Sequence, residues 1–171
     1  MTVDPEALRA VMRHWTTGVA IIASRDNALM HGMTVNAFTS VSLEPPLVLA
    51  CIERVVRTHG LVERSRVFAI SFLCAGQEAI SDRFAGRDTE HQDRFAGLRT
   101  HTAMTGAPIL ADNFGYLDCV VVAAYEAGTH TIFLGEVVAA KVQPDGQPLV
   151  YFDRDYRALD ELARSTAPGT V

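Results

Sequence analysis

The sequence predicts a mainly β protein in which antiparallel strands form a closed or partly closed barrel with helices at its periphery. Apolar runs rich in β-branched residues recur along the chain, and such runs are typical of strands. Their spacing is irregular, and they are joined by tight turns in some places and by a short helix in others, which suits a barrel better than a doubly wound sheet. No G-x-G-x-x-G or G-x-x-x-x-G-K-[ST] motif occurs, which disfavours a Rossmann or P-loop nucleotide site.

Length and composition indicate one compact domain, which we expect to span residues 1–165 and to be followed by a mobile tail at 166–171. The chain has 171 residues, of which 49% are apolar and 20% charged. A chain of this length buries roughly 70% of its unfolded surface, so a stable core needs neither a metal nor a disulfide. The net charge is −5, which argues against nucleic-acid and anionic-membrane partners.

The N-terminal region predicts a helix followed by a hairpin. Asp4 is the expected N-cap, Pro5 the first helical residue and Gly18 the left-handed C-cap. Four apolar residues recur at helical spacing and share one face: Leu8, Val11, Met12 and Trp15. A β-branched run at 19–23, the turn at 25–27 and a second run from Ala28 predict the hairpin.

The remainder of the chain predicts five further strands and three further helices. The strands are expected at 47–52, 67–73, 116–125, 131–139 and 149–152, and the helices at 58–65, 77–85 and 156–163. In the last helix Leu159 and Leu162 are expected to face inward. The three cysteines, Cys51, Cys74 and Cys119, lie far apart in apolar runs without a C-x-x-C pair, which indicates reduced core residues.

No segment has the ~18 uninterrupted apolar residues of a membrane span, and the N-terminus lacks the pattern of a signal peptide. We therefore expect a cytoplasmic protein. The histidines lack H-x-x-H or H-E-x-x-H spacing, so no metal site is expected. No G-x-S-x-G motif and no recognisable nucleophilic cysteine occurs either, which disfavours a hydrolase.

Four segments are candidates for chemistry, each with an ordinary structural alternative. Small and hydroxyl-bearing residues at 32–42, followed by Pro45 and Pro46, leave main-chain groups within reach of a ligand, although an ordinary strand and turn explains the same composition. Arg57 and Thr58 stand at a predicted helix start, where a cation, a hydroxyl and free N–H groups can hold a phosphate or simply form a cap. The next two candidates lie further along the chain.

The third candidate is the helix end at 81–87, where Arg83 beside Phe84 could reach a phosphate or a ring edge, or could simply complement the helix dipole. The fourth is the hairpin loop at 126–130. His130 adjoins strands on both sides there, and it either caps the turn or reaches into a site at the barrel mouth.

These segments together resemble the flavin reductase-like family of short-chain NAD(P)H:flavin oxidoreductases, the reductase components of two-component flavin-dependent monooxygenases. The resemblance covers most of the chain, and it is carried in order by residues 15–19, 32–40, 41–47, Arg57-Thr58, 83–86, 106–110, 128–130 and 148–152. Many members read Gly-Asp-His where this chain has Gly128, Thr129 and His130. The histidine is retained, whereas the carboxylate is not.

The resemblance implies an FMN-binding split barrel, normally a homodimer with the flavin near the subunit interface. It implies that Thr34, Val35, Asn36 and Ala37 lie along the isoalloxazine, that Ser40, Cys51, Ile52 and Glu53 line the ribityl region, that Arg57 and Thr58 hold the phosphate, and that Arg83 and Phe84 complete the pocket. It places the nicotinamide nucleotide beside His130, Tyr151, Phe152, Asp153 and Arg154. Neither FMN over FAD nor NADH over NADPH is selected.

The function implied is hydride transfer from NAD(P)H to FMN or FAD, with reduced flavin diffusing to a partner monooxygenase. Hydride transfer is chemistry of the cofactors, so the protein has to stack the rings, exclude water and stabilise developing charge. This explains why no catalytic acid, base or nucleophile stands out. Two alternatives remain: a split-barrel protein that binds flavin or haem without nicotinamide turnover, and a purely structural dimeric barrel.

Overall fold

The structure is a computed structural model that describes residues 2–87, 93–143 and 146–159. The helices are α1 Pro5–Met12, α2 Arg57–Ser65 and α3 Glu78–Phe84. The strands are β1 Thr17–Gly18, β2 Ala20–Asp26, β3 Leu29–Val35, β4 Phe38–Leu43, β5 Pro46–Glu53, β6 Val67–Phe72, β7 Thr100–His101, β8 Ile109–Leu110, β9 Gly115–Ala127, β10 His130–Val142, β11 Val150–Phe152 and β12 Asp155–Arg157. The expected tail at 166–171 lies outside the described residues.

One seven-stranded antiparallel sheet dominates the fold, in the order β3-β2-β6-β9-β10-β5-β4. The edge strands β3 and β4 are joined by two residues, Asn36 and Ala37. Both strands therefore present unpaired main-chain groups beside this short connection. The prediction of a mainly β, antiparallel architecture is confirmed, and the strand-and-turn alternative for residues 32–42 describes β3 and β4 correctly.

Strand β2, next to the edge strand β3, packs on both faces because its side chains alternate between two apolar clusters. Ala20 and Ile22 join the core formed with Phe68 and Phe133, whereas Ile21 joins a second cluster. That second cluster also contains Phe84, Phe95, Leu110 and Leu149. It fixes α3 and the segment after it against the sheet, beside β3.

The first helix begins as predicted and ends earlier than predicted. The Asp4 carboxylate accepts a hydrogen bond from the backbone N–H of Glu6 at 3.3 Å, and Pro5 is the first helical residue. The helix ends at Met12, and the expected C-cap Gly18 lies instead in β1, paired with Val150. The expected helical face is solvent-exposed: Leu8 is 58%, Val11 70%, Met12 53% and Trp15 69% exposed.

The predicted C-terminal helix from Tyr156 is wrong at its start. Tyr156 lies in β12 opposite Tyr151, and its hydroxyl donates to Asp82 Oδ1 at 2.8 Å and lies within hydrogen-bond distance of the Ser81 hydroxyl, at 2.9 Å from Ser81 Oγ. These long-range contacts explain the strand, since they override a helical pattern of only two apolar positions. Leu159 is 53% exposed rather than inward, and residues 160–163 lie outside the described part of the chain.

The other elements agree closely with the predictions. Helix α2 starts one residue earlier than expected, and α3 is one residue shorter than expected at each end. The 126–130 loop is a tight turn between β9 and β10 with Gly128 at φ 59°. The cysteines are free thiols, but of the three expected core residues only Cys119 is buried; Cys51 and Cys74 are half-buried. None of the helices in the described part of the chain is long and apolar enough to cross a membrane.

Candidate functional site

A groove in three lobes follows β3 and the connection to β4. The arginine lobe has a volume of about 370 Å³ and is lined by His31, Met33, Thr34, Val56, Arg57, Thr58, Phe84, Ala85 and Arg94. The central lobe is lined by Val19, Thr34, Val35, Asn36, Ser81, Ala85, Arg87, Tyr151 and Tyr156. The tryptophan lobe is lined by Met12, Trp15, Thr17, Asn36, Ala37, Phe38, Thr39, Leu49 and Cys51.

Neighbouring lobes share lining residues along β3 and its connection to β4. Thr34 and Ala85 line both the arginine and central lobes, and Asn36 lines both the central and tryptophan lobes. A strand rises about 3.3 Å per residue, so the path from His31 to Ala37 is roughly 20 Å long. The structure therefore brings Thr34, Val35, Asn36 and Ala37 onto one elongated surface.

The arginine lobe is strongly cationic. No carboxylate within the described ranges forms an ion pair with Arg57 or Arg94. Burial and then the charge of Arg57 lower the pKa of Arg94. Helix α2 also starts in this lobe, and its N-cap residue Val56 offers no side-chain acceptor. Two guanidinium groups and an uncapped helix N-terminus at one place are an anion-binding arrangement.

Thr58 is at the wall of this lobe but is fully buried, with 0% of its surface exposed. Its Oγ1 lies 2.8 Å from Nδ1 of His31. Burial, followed by the charges of Arg94 and Arg57, lowers the pKa of His31 to about 4, against a smaller opposing effect of Asp93. His31 is therefore a neutral imidazole at neutral pH, and sequence reasoning did not single it out.

Arg94 is the second residue of this lobe that sequence reasoning missed. Its Nη1 donates to the carbonyl oxygens of Gly32 at 2.9 Å and Phe84 at 2.8 Å, which fixes the guanidinium against β3 and the end of α3. The predicted Arg83 instead donates through Nη1 to the Ala96 carbonyl at 3.0 Å. Arg94 thus contributes to the lobe the charge that the sequence analysis attributed to Arg83.

A sequence signal for Arg94 exists. The segment Asp-Arg-Phe-Ala-Gly occurs twice, at 82–86 and at 93–97. The two copies pack on each other: the rings of Phe84 and Phe95 meet edge to face at 5.0 Å, and each arginine donates to a carbonyl of the other copy. The repeat predicts two equivalent arginines, Arg83 and Arg94, of which Arg94 lines the arginine lobe in the folded protein.

Phe84 is fully buried and closes the arginine lobe against β3. Gly32 makes this packing possible, because a Cβ there would lie 2.9 Å from Phe84 Cε1 and 3.2 Å from the Ile22 carbonyl oxygen. Both distances are too short for an unstrained contact. The glycine of the 32–42 segment is therefore required for close approach between α3 and β3.

A polar network forms one wall of the central lobe. Thr34 Oγ1 donates to the Ser81 carbonyl at 2.5 Å, so its hydroxyl ties α3 to β3. Arg87 donates to Asp82 at 2.8 Å, and hydrogen bonds to Tyr151 and Asp82 raise the pKa of Arg87. Tyr151 therefore stands at this wall, beside Arg87.

The tryptophan lobe combines an exposed indole with main-chain groups. Asn36 Nδ2 donates to Thr17 Oγ1 at 3.2 Å, and the Ala37 carbonyl accepts from the Cys51 N–H at 2.9 Å. Cys51 lines this lobe, and burial raises the pKa of its thiol. A flat ligand here would meet the Trp15 ring and the free edge of the 36–37 connection.

The four residues assigned by resemblance to the ribityl region lie on β5 or on the adjacent strand β4, and Cys51 also lines the tryptophan lobe. Ser40 is exposed on the edge strand β4, opposite Val48. Ile52 is 0% exposed within the barrel core, so a ligand can meet only its main chain. Glu53 ends β5 and pairs with His130.

The five residues assigned to the nicotinamide lie in two different sheets. His130 begins β10, and its Nδ1 lies 2.9 Å from Thr129 Oγ1. The other four form β11 and its turn, where Asp153 and Arg154 adopt φ of 48° and 67°. This turn contacts the end of α1: the Asp153 N–H donates to the Arg13 carbonyl at 2.9 Å, and the rings of Phe152 and His14 meet at 5.9 Å. Of the five, Tyr151 lines the groove.

Comparison with known families gives a direct match. Residues 12–160 match the family described as flavin reductase like domain. The chain belongs to the flavin reductase-like family. A 37% identical relative is the NADH-dependent flavin reductase of a Rhodococcus species, aligned over 95% of this chain and 90% of the relative. The reductase subunit HsaB of a flavin-dependent monooxygenase from Rhodococcus jostii is 31% identical over 97% of this chain and 84% of its own.

Solved structures of flavin reductases share the fold. Flavin reductase PheA2 superposes with a TM-score of 0.85 at 33% identity, covering 93% of this chain and all (100%) of that one. The NADH:FAD oxidoreductase SgcE6 of Streptomyces globisporus, in complex with NAD and FAD fragments, gives a TM-score of 0.86 at 36% identity over 95% of this chain and 99% of its own. The expected split-barrel fold and the expected oxidoreductase class of this family member are confirmed.

Proposed function

We propose that this flavin reductase-like protein transfers a hydride from NAD(P)H to a flavin that lies along the groove of β3. The phosphate occupies the arginine lobe, the ribityl chain the central lobe and the isoalloxazine the tryptophan lobe. This arrangement departs from the resemblance, which assigned Cys51 of the tryptophan lobe to the ribityl chain. The observation that carries this orientation is the pair Arg57 and Arg94, two guanidinium groups at one end of the groove beside the uncapped start of α2. The relatives' names support the reaction.

The groove fits a flavin mononucleotide in length and in chemistry. Its path of roughly 20 Å, from strand rise, is comparable with three fused rings extended by a five-carbon chain and a phosphate. A phosphate dianion is matched by the two arginines. We therefore propose FMN as the flavin that fills the groove, whereas the adenosine part of FAD has to extend beyond the arginine lobe.

The chain contributes binding and orientation. A bound flavin supplies the hydride acceptor, and a nicotinamide supplies the hydride. The Asn36–Ala37 connection offers main-chain donors to the polar edge of the ring, where negative charge develops. The fixed hydroxyl of Thr34 and the buried Phe84 hold α3 against β3.

We propose that the functional unit is a homodimer and that its interface includes the exposed face of α1 with Trp15. Four large apolar side chains on one helix face and its extension are more than half exposed, and symmetric pairing buries such a face. His130 and the β11 turn are candidates for contacting the nicotinamide, and they lie in different sheets. A dimer is one way to bring them to one site. Analytical ultracentrifugation over a dilution series tests this, and a fully active monomer contradicts it.

We further propose that reduced flavin leaves the groove and diffuses to a flavin-dependent monooxygenase in the cytoplasm. The named relatives include monooxygenase reductase components. A groove that follows two edge strands is open to solvent along its length, which allows release. We expect reduced flavin made by this chain to support such an oxygenase across a dialysis membrane.

Steady-state kinetics with the four combinations of FMN or FAD and NADH or NADPH test the function. We expect rapid nicotinamide oxidation that depends on added flavin, with a lower Michaelis constant for FMN than for FAD. Flavin binding without nicotinamide oxidation in any combination supports the alternative of a flavin-binding barrel without turnover. Absence of any flavin binding supports the purely structural barrel.

A further inference from the structure

In the arginine lobe, the Thr58 hydroxyl that was expected to bind a phosphate is buried, and the imidazole of His31 that is hydrogen-bonded to it is more exposed. Thr58 has its hydroxyl at the helix start but is 0% exposed, whereas His31 is half-buried and lines the same lobe. Thr58 Oγ1 and His31 Nδ1 are 2.8 Å apart. Of the two side chains, the imidazole is therefore the one that is accessible from the lobe.

We propose that His31 Nε2–H, and not the Thr58 hydroxyl, donates to the bound phosphate, and that Thr58 is a positioning residue that fixes the imidazole. This inference rests on the proposed function, since it concerns the anion that Arg57 binds. It assigns phosphate binding to a residue of β3. Thr58, which was expected to contact the phosphate directly, then acts on it only through His31.

The tautomer follows from the pair. A neutral imidazole has one N–H and one bare nitrogen, and the partner of one nitrogen decides which is which. When the Thr58 hydroxyl donates to Nδ1, the proton lies on Nε2. In the described part of the chain no group forms a hydrogen bond with Nε2, so this N–H is available to an anion that accepts hydrogen bonds.

The charges around His31 favour a neutral donor. Arg57 of α2, and Arg94 with Asp93 of the segment after α3, are the charged groups that act on the ring. Together with burial they hold the pKa of His31 at about 4. The two arginines thus supply the charge that an anion needs, and the imidazole supplies a directed hydrogen bond that does not depend on uptake of a proton.

Binding of FMN and riboflavin, which differ by the phosphate, tests the assignment through the quenching of flavin fluorescence. His31→Leu is expected to weaken FMN binding by about tenfold or more, as for a hydrogen bond to a charged group, and to leave riboflavin binding unchanged. His31→Gln keeps an N–H donor near the position of Nε2 and is expected to restore most of the affinity.

A double-mutant cycle separates the two residues. Thr58→Val, which is nearly isosteric, is expected to weaken FMN binding in the native background and to have no further effect in His31→Leu, because Thr58 acts through the imidazole. An additional loss in that background shows that Thr58 contacts the phosphate directly and overturns the proposal. Melting temperatures measured on every variant show which of them fold.

The protonation state is tested in the same assay. Between about pH 6 and 8.5, which spans the ordinary histidine pKa, the FMN-to-riboflavin affinity ratio of the native protein is expected to parallel that of His31→Gln. A rise of this ratio toward low pH that vanishes in His31→Gln shows an imidazolium and contradicts a neutral donor. Arg57→Ala is the control for the proposed function: if it lowers FMN affinity selectively and His31→Leu does not, this inference alone fails.

Discussion

Replacement of Arg57 by alanine tests the orientation of the flavin. The guanidinium lines the arginine lobe and has no carboxylate partner in the described residues, so the substitution leaves no orphaned acid. A hydrogen bond to a charged group contributes about 1.5–3 kcal/mol. Arg57 is exposed, which places the expected loss in FMN binding near the lower limit, about 1.5–2 kcal/mol or 10- to 30-fold.

Arg57→Ala is expected to weaken FMN binding but not to destabilise the ligand-free protein. The charge of Arg57 contributes to lowering the pKa of Arg94, so its removal relieves a repulsion in the empty groove. Arg57→Ala should therefore bind FMN more weakly without a lower melting temperature. The loss in binding should shrink as salt is added, since exposed charges are screened.

Isothermal titration with FMN and with riboflavin measures the difference. Arg99→Ala is a matched control, because Arg99 is also an exposed arginine but pairs with Asp112 at 2.6 Å, outside the groove. Riboflavin binding should be unchanged in both variants, and FMN binding should fall in Arg57→Ala alone. Equal losses for FMN and riboflavin refute a contact between Arg57 and the phosphate.

Three further predictions follow from the same contacts. Cys51 lines the tryptophan lobe, so bound FMN should slow its alkylation, measured by mass spectrometry, while the half-buried Cys74 reacts at an unchanged rate. Cys119, whose pKa is raised to about 12 by burial and by Asp118, should stay unlabelled until the protein unfolds. The pKa of His31 is about 4 in the folded protein and about 6.5 when unfolded, so the unfolded state binds more protons between these pH values and the stability contributed by neutral His31 is lost as the pH falls from 6.5 to 4. In phosphate-free urea titrations His31→Gln should lose less stability over this range than the native protein. An identical loss in both proteins contradicts the lowered pKa. Gly32→Ala places a Cβ 2.9 Å from the Phe84 ring and should destabilise the fold by about 1–3 kcal/mol, whereas Gly18→Ala, with nothing within 4 Å, should change the melting temperature little.

Local signals in the sequence predicted most of the barrel because strands and tight turns depend on neighbouring residues. The turn at Gly128 and the start of α2 are examples, since glycine conformation and helix ends are encoded locally. The wrong helix boundaries coincide with long-range contacts. Tyr156 joins a strand because its hydroxyl reaches α3, and α1 ends at Met12, after which Arg13 and His14 contact the turn of β11.

The site was less predictable than the fold because its parts come from distant segments. Arg57 stands at a helix start, where an anion site can be recognised from sequence. His31 and Arg94 have no such local mark, and they meet Arg57 only after β3, α2 and the segment after α3 have packed together. The repeated Asp-Arg-Phe-Ala-Gly segment is the one local signal for Arg94, and it does not tell which copy faces the groove.

A crystal structure of the FMN complex tests the central claim most directly, namely that the flavin lies along β3 with its phosphate at the start of α2. We predict the phosphate within hydrogen-bond distance of the Arg57 guanidinium, and the isoalloxazine beside Trp15 and the Asn36–Ala37 connection. A flavin bound in the reverse direction, or away from β3, contradicts the account.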